Sequence, residues 1–276
     1  MHRESKKRTA LRTLLLLVLT LVFIFPVLWM ISISFKPREA LFRQPPDFFF
    51  APIPDHYLAA FAPETRAVTD LINSLIIAGA STALVILLGT PAAYALARLQ
   101  VRRRDDIMMF VLGSRMAPAI ALVVPFFLIY NKVGLLNTHL GLILAYLTFN
   151  LSFYIWLMSI FFREIPRDIE AAANVDGYGP TYAFVRIVVP LAVPGIVATG
   201  VLAFIFAWNE FAYALLLGGK NAETLPVAIS RFVTPRGVEW GSLAAVGTVA
   251  LVPVTVMVFL LYKYIVRGLS LGAVKG

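Results

Sequence analysis

Two places in this chain carry residues that could do chemistry. The first is Gly113-Ser114-Arg115-Met116-Ala117-Pro118, where a single guanidinium stands inside an otherwise apolar run. An ionisable group at membrane depth is costly, so it marks either a functional contact or an internal pair. The Arg115 fork of donors suits a carboxylate, phosphate or sulfonate, and the plainer alternative is a pair with Glu210. Asn209 and Glu210 could line the same path or cap a helix contact. Asn150 is a further path candidate, although interhelical amide hydrogen bonds are routine.

The second place is the loop 163–190, which reads Arg163-Glu164-Ile165-Pro166-Arg167-Asp168-Ile169-Glu170-Ala171-Ala172-Ala173-Asn174-Val175-Asp176-Gly177 and continues to Pro190. Pro166 suits the first turn of a helix, Asp168 and Glu170 its positive end, and Gly177 the position just past its last turn. A short separate helix is expected. Ile169, Ala172, Ala173 and Asp176 then share one face at i, i+3, i+4 and i+7, and the alanines let a partner approach closely. A helix resting on lipid headgroups would instead show bulky apolar residues and a basic polar face. The chemistry expected here is docking.

The elements that must hold these residues follow from composition. The 276 residues are 60% hydrophobic and only 14% charged, with a mean hydropathy of +0.83, whereas soluble domains carry about 25% charged residues. A spanning helix needs about 20 mainly apolar residues. Six such stretches are present, at 14–35, 71–96, 107–130, 140–162, 191–217 and 243–265. An all-α, polytopic membrane protein is expected, with a tail at 1–13 and one six-helix domain over 14–276. The first stretch is too long for a signal-peptide core and ends without a small-x-small cleavage site. With the amino terminus inside, fifteen lysines and arginines fall on the inner side and eight on the outer side, Arg115 being left within a helix. Both termini are therefore expected on the cytoplasmic side. On this count Arg115 lies about eight residues, or roughly 12 Å, into the third span.

Several function classes are excluded. There is no cysteine, and the only imidazoles are His2, His56 and His139, so no disulfide, thiolate metal site or His-Glu-x-x-His centre can be assembled. The net charge of +9 sits in short clusters between apolar runs, which is not the footprint of a nucleic-acid binder. No phosphate-cradling G-x-x-x-x-G-K-[ST] loop is present, so any ATP hydrolysis belongs to another chain. An ion-driven secondary transporter would place carboxylates or discontinuous helices in two matching repeats, and a channel would show a charged or carbonyl-rich filter. Neither pattern is evident.

The loop also resembles the cytoplasmic coupling segment of ABC-importer permeases: Glu-Ala-Ala, three residues, Gly, nine residues, then Ile-x-Leu-Pro. Gly177, Ile187, Val189 and Pro190 match its second half, with Val for Leu. In its first half Ala171 occupies the motif's glutamate and Ala172 and Ala173 its alanines. Glu170 lies one residue early, about 100° round a helix. If the motif's glutamate pairs with a basic residue of the ATPase, Glu170 must replace it from a different angle or the pair is absent. Further stretches narrow the resemblance to the maltose-permease-like second subunit of carbohydrate importers. They are Asn73-Ser74, Ala93-Tyr94-Ala95-Leu96-Ala97-Arg98, Gly134-Leu135-Leu136-Asn137-Thr138, Trp208-Asn209-Glu210-Phe211, Leu225-Pro226-Val227 and the ending 268–276.

The resemblance implies a type I ABC-importer permease fold in a bacterial inner membrane, and no catalysis and no cofactor on this chain. It implies a second, different permease, two copies of an ATP-binding subunit holding ATP and Mg, and a substrate-binding protein. Glu170, Ala171, Ala172, Ala173, Asp176, Gly177 and Pro190 would form the ATPase-coupling set, and Arg115, Asn150, Asn209 and Glu210 the substrate path. The cargo would be a sugar or sugar derivative. Arg115 would meet either an anionic group, as in a sulfosugar, or plain sugar hydroxyls. The loop 218–241 either enters the binding protein or is a surface turn.

Overall fold

The computed structural model of the chain describes residues 6–235 and 237–271. His2, Arg3, Arg236, Lys275 and the last five residues of the family-like ending lie outside them. In order the elements are α1 (Lys6–Ser34), α2 (Arg38–Leu41), α3 (Asp55–Ala60), α4 (Ala67–Arg98), α5 (Arg104–Met116), α6 (Ala119–Val133), α7 (His139–Glu164) and α8 (Asp168–Val175). There follow α9 (Pro180–Ala183), a π-helical turn (Phe184–Val188), α10 (Val189–Trp208), α11 (Ala212–Leu217) and α12 (Leu225–Ser230). The two-residue strands β1 (Val233–Thr234) and β2 (Gly237–Val238) and the helix α13 (Trp240–Leu271) complete the chain. Five helices are long and apolar enough to cross a membrane, and the bent pair α5 and α6 can supply a sixth crossing.

Two spans differ from expectation, each for a local reason. The stretch 107–130 is not one helix: α5 and α6 meet at 92°. Pro118 caps α6 and forces Ala117 into an extended conformation (φ −65°, ψ 127°), because a residue before proline is pushed out of the α region. The stretch 191–217 begins earlier and stops sooner, as one run from Pro180 to Trp208. Pro190 is therefore the second residue of α10. Its missing N–H is accommodated by the π-turn, in which Val189 donates to the Phe184 carbonyl. At the other end Asn209 to Phe211 break the helix before α11.

Packing divides the chain into two compact units. One comprises the residues up to Ala67 together with Ile229–Val252. Here the segment 36–66 is tied down by polar contacts. Buried His56 donates through Nε2 to the Lys36 carbonyl at 2.7 Å, Ser34 and Tyr57 share a 2.8 Å hydroxyl contact, and Lys36 Nζ lies 4.3 Å from the Trp29 ring centroid. From Leu11 to Leu28 the apolar residues of α1 are exposed, whereas Trp29, Met30, Ile31 and Ile33 are partly buried.

The other unit, Val68–Ala228 with Pro253 onward, carries both candidate sites. Its core joins Val85, Ala93 and Tyr94 of α4, Tyr154, Met158 and Phe162 of α7, and Ala192 and Ala203 of α10. Gly89 is required at this crossing, since an added Cβ would lie 2.5 Å from the Tyr154 ring. At the opposite end of α4, buried Asn73 binds through Nδ2 to the carbonyls of Asn221 (3.2 Å) and Glu223 (2.9 Å) and accepts from His139 Nε2 at 2.8 Å. Ser74 Oγ accepts from Leu225 N at 2.7 Å, and Asn137 Oδ1 from Asn221 N at 2.6 Å. The Asn73-Ser74 and Gly134 to Thr138 stretches are thus one anchor for the segment after α11. Asn73→Ala strips two carbonyls and an imidazole of their partner, at a cost of about 2–4 kcal/mol. Faster amide hydrogen exchange across 221–225 is the expected readout, with α8 unaffected.

Candidate functional site

The short helix α8 ends as its sequence dictates. Gly177 adopts φ +86°, Tyr178 N donates to the Ala173 carbonyl at 2.9 Å and Gly177 N to the Asn174 carbonyl at 3.1 Å. These are the two reciprocal bonds of a glycine-terminated helix end. The exposed face is not the expected one. Ala173 is buried and Ile169 half-buried against the chain's own core, while Ala171, Ala172, Val175 and Asp176 are exposed. Val175 is 88% exposed, and beyond it Tyr178 and Tyr182 stack at 4.2 Å with their rings 11° apart, both open to the exterior. The exposed surface is thus an apolar tip of Val175, Tyr178 and Tyr182 bordered by small alanines. Neither tyrosine was singled out from the sequence, where a tyrosine in a turn carries no periodic signal.

Glu170 faces inward. Tyr94 Oη donates to Glu170 Oε2 at 2.7 Å, and Arg98 Nε approaches Oε1 at 3.1 Å. Arg98 also donates through its second terminal nitrogen to the Ile165 carbonyl, the C-cap of α7. One carboxylate oxygen thus accepts a hydrogen bond from Tyr94, while the other lies within ion-pair distance of Arg98 but is not hydrogen-bonded among the described residues. Tyr94 and Arg98 entered the sequence reading only as a family-like helix ending and a count of positive charge. Their spacing of four residues, one helical turn, is the signal that could have paired them with an acid.

The second site is a cleft of 790 Å³ whose lining includes Ser114, Arg115, Thr148, Phe206, Asn209 and Glu210. Arg115 lies in the last turn of α5 rather than mid-helix, where a helix C-terminus favours a cation. Its guanidinium carbon sits 4.4 Å from the Phe153 centroid and 4.5 Å from that of Phe206. Two ring faces hold the guanidinium plane by cation–π attraction and leave its in-plane donors uncommitted. One terminal nitrogen, Nη1, is buried and has no hydrogen-bond partner among the described residues. Ser114 Oγ lies 2.8 Å from Ser152 Oγ, fixing α5 to α7 at the same level.

Arg115 and Glu210 line one cleft but form no ion pair. Glu210 Oε1 instead accepts from Tyr213 N at 3.1 Å, capping α11, and Asn209 Nδ2 donates to the Ile205 carbonyl at 2.8 Å. Asn150 is fully buried, is not part of this lining, and donates to the Ala203 carbonyl at 3.2 Å, joining α7 to α10. The cleft therefore offers a free cationic donor at one wall and carboxylate and amide oxygens at the other. Donors and acceptors of both kinds on facing walls are the groups that hydrogen-bond polar solutes.

Comparison with known proteins gives a consistent result. Residues 85–271 match the family described as binding-protein-dependent transport system inner membrane component. The trehalose transport system permease protein SugB of Mycobacterium tuberculosis is 42% identical over 259 residues, covering 92% of this chain and 93% of that protein. The sulfoquinovosyl glycerol transport system permease protein SmoH of Agrobacterium fabrum is 36% identical, covering 92% and 89%. Among solved structures, a bacterial ABC transporter involved in import of the acidic polysaccharide alginate superposes with a TM-score of 0.73 at 20% identity, over 96% of this chain and 98% of that one. This last likeness concerns the fold, that of ABC-importer permeases.

Proposed function

The chain belongs to the family of binding-protein-dependent transport system inner-membrane components, non-catalytic permease subunits of carbohydrate ABC importers, and from that premise we propose that it forms half of the membrane pore of an ATP-driven importer for an anionic sugar derivative. A second, different permease completes the pore, two copies of an ATPase bind ATP and Mg on the inner side, and a substrate-binding protein delivers cargo from outside. Both termini are cytoplasmic. The observation that carries the reading is the apolar tip at Val175, Tyr178 and Tyr182, exposed at the end of a helix whose half-buried Glu170 accepts from Tyr94 of its own chain. An exposed cluster of this kind is the surface a partner groove covers.

The anionic cargo is supported by the unpartnered donor of Arg115, with Glu210 and Asn209 placed to meet sugar hydroxyls. The relative named for sulfoquinovosyl glycerol transport, whose cargo carries a sulfonate, is in keeping with it. Co-expression of the chain with its genomic neighbours and purification through a tag on it alone tests both levels. An ATPase and a second permease should co-purify, and the binding protein loaded with an anionic sugar should raise ATP hydrolysis more than with the neutral analogue. A chain that purifies alone after gentle solubilisation refutes the importer assembly. Equal or greater stimulation by the neutral sugar refutes the anionic cargo only.

A further inference from the structure

The docking helix has only eight residues, and it hangs between two short linkers. Ile165-Pro166-Arg167 precedes it, and Asp176-Gly177-Tyr178-Gly179 follows it before α9 begins at Pro180. A push on a helix held only by such linkers would be taken up by their backbone dihedrals and would not reach the spans. Apolar packing of Ala173 and Ile169 seats α8 on the segment that follows it, but a directional contact to α4 and α7 is what would keep it from swinging.

We propose that Glu170 is the positioning residue that fastens α8 to α4 and α7, so that a displacement of the docking helix is carried into both spans as one body. The proposal rests on the ATP-driven reading above. Three elements converge on Arg98, whose side chain is 4% exposed. It is the last residue of α4, it donates to the terminal carbonyl of α7 at Ile165, and it faces Glu170 of α8 at 3.1 Å. Tyr94, one turn earlier on α4, takes the other Glu170 oxygen at 2.7 Å. The Tyr94 ring packs edge-on to Phe162 of α7 at 5.7 Å and against Phe184 at 4.5 Å. One carboxylate therefore closes a polar joint inside an aromatic box.

Such a joint resists distortion more than it adds stability. A buried ion pair gains little over an apolar replacement of the same shape, yet pulling it apart leaves two uncompensated charges in a low-dielectric site. The joint is also connected to the cleft. From Phe162 to Phe153 on α7 is nine residues, about 14 Å of rigid helix, and Phe153 is one of the two rings that hold Arg115. Motion of α8 thus reaches the arginine through α7 without crossing a loop.

The test uses the complete assembly, with both permeases, the ATPase and the binding protein, reconstituted in liposomes. The readout is sugar moved per ATP hydrolysed, which a merely structural role would leave unchanged in whatever complex survives. Glu170→Gln and Tyr94→Phe each weaken the joint without changing its shape. Each is expected to lower that ratio, Glu170→Gln by about tenfold or more, since a hydrogen bond to a charged group accounts for roughly a decade in an equilibrium constant. The exchange Arg98→Glu with Glu170→Arg should restore part of it. A wild-type ratio in both single variants overturns the proposal. So does a Glu170→Gln chain that loses the ATPase while Tyr94→Phe couples normally, because Glu170 would then be a direct contact. Absence of ATP-dependent uptake in the wild type refutes the importer reading itself, before any variant is compared.

Discussion

Replacing Val175 by aspartate is expected to lower the amount of ATPase that co-purifies with the permease by at least about tenfold, and uptake with it. The side chain is 88% exposed and closes the last turn of α8, so the permease itself gains or loses almost no packing. In the proposed assembly the same side chain would enter a partner groove. Burying a valine is favourable by about 1.5–3 kcal/mol, and an unpaired carboxylate in its place adds a desolvation cost of at least a similar size. Every 1.4 kcal/mol is a factor of ten in association. Two measurements decide the matter: the stoichiometry of ATPase after affinity purification, and the thermal midpoint of the permease alone. Lost association with an unchanged midpoint supports the docking tip. Full association of the aspartate variant places the contact elsewhere.

The second large effect is expected at Arg115. Arg115→Met keeps an unbranched side chain between Phe153 and Phe206 and removes only the charge and the donors. Uptake efficiency for an anionic sugar should fall about 10- to 100-fold, the equivalent of roughly 1.5–3 kcal/mol for a hydrogen bond to a charged group. Uptake of the neutral analogue should fall much less. Arg115→Lys keeps the charge but loses the planar fork and the double stacking, and should lie between the two. The measurement is a pair of uptake curves, for the anionic and the neutral sugar, on each variant. Equal losses for both cargoes would mean that Arg115 meets hydroxyls or holds the cleft open, and that the anionic group is read elsewhere.

These predictions also show where sequence and structure part. The sequence by itself determined that the chain is a helical membrane protein, because runs of some twenty apolar residues have few other stable solutions in water or lipid. It determined the short helix at α8 and its stop at Gly177, since Pro166, the acids of the first turn and a glycine with positive φ are local requirements met by adjacent residues. It also located Arg115 and Glu210 as the costly groups in apolar surroundings.

What lay beyond it depended on neighbours distant in the chain. Which face of α8 turns inward was decided by Tyr94 and Arg98, more than seventy residues earlier, as partners of Glu170. Periodicity assigns residues to a face but does not say which face is covered. Only the folded structure shows that Arg115 is held by Phe153 and Phe206, that Glu210 spends an oxygen on its own helix end, and that Asn150 is turned away from the cleft into a helix crossing. The breaks at Pro118 and Asn209 have local causes, but prolines also lie inside α1, α4 and α13 without breaking them. Whether such a residue ends a span or bends within it depends on whether packed neighbours satisfy the backbone groups it frees, and that is a property of the tertiary structure.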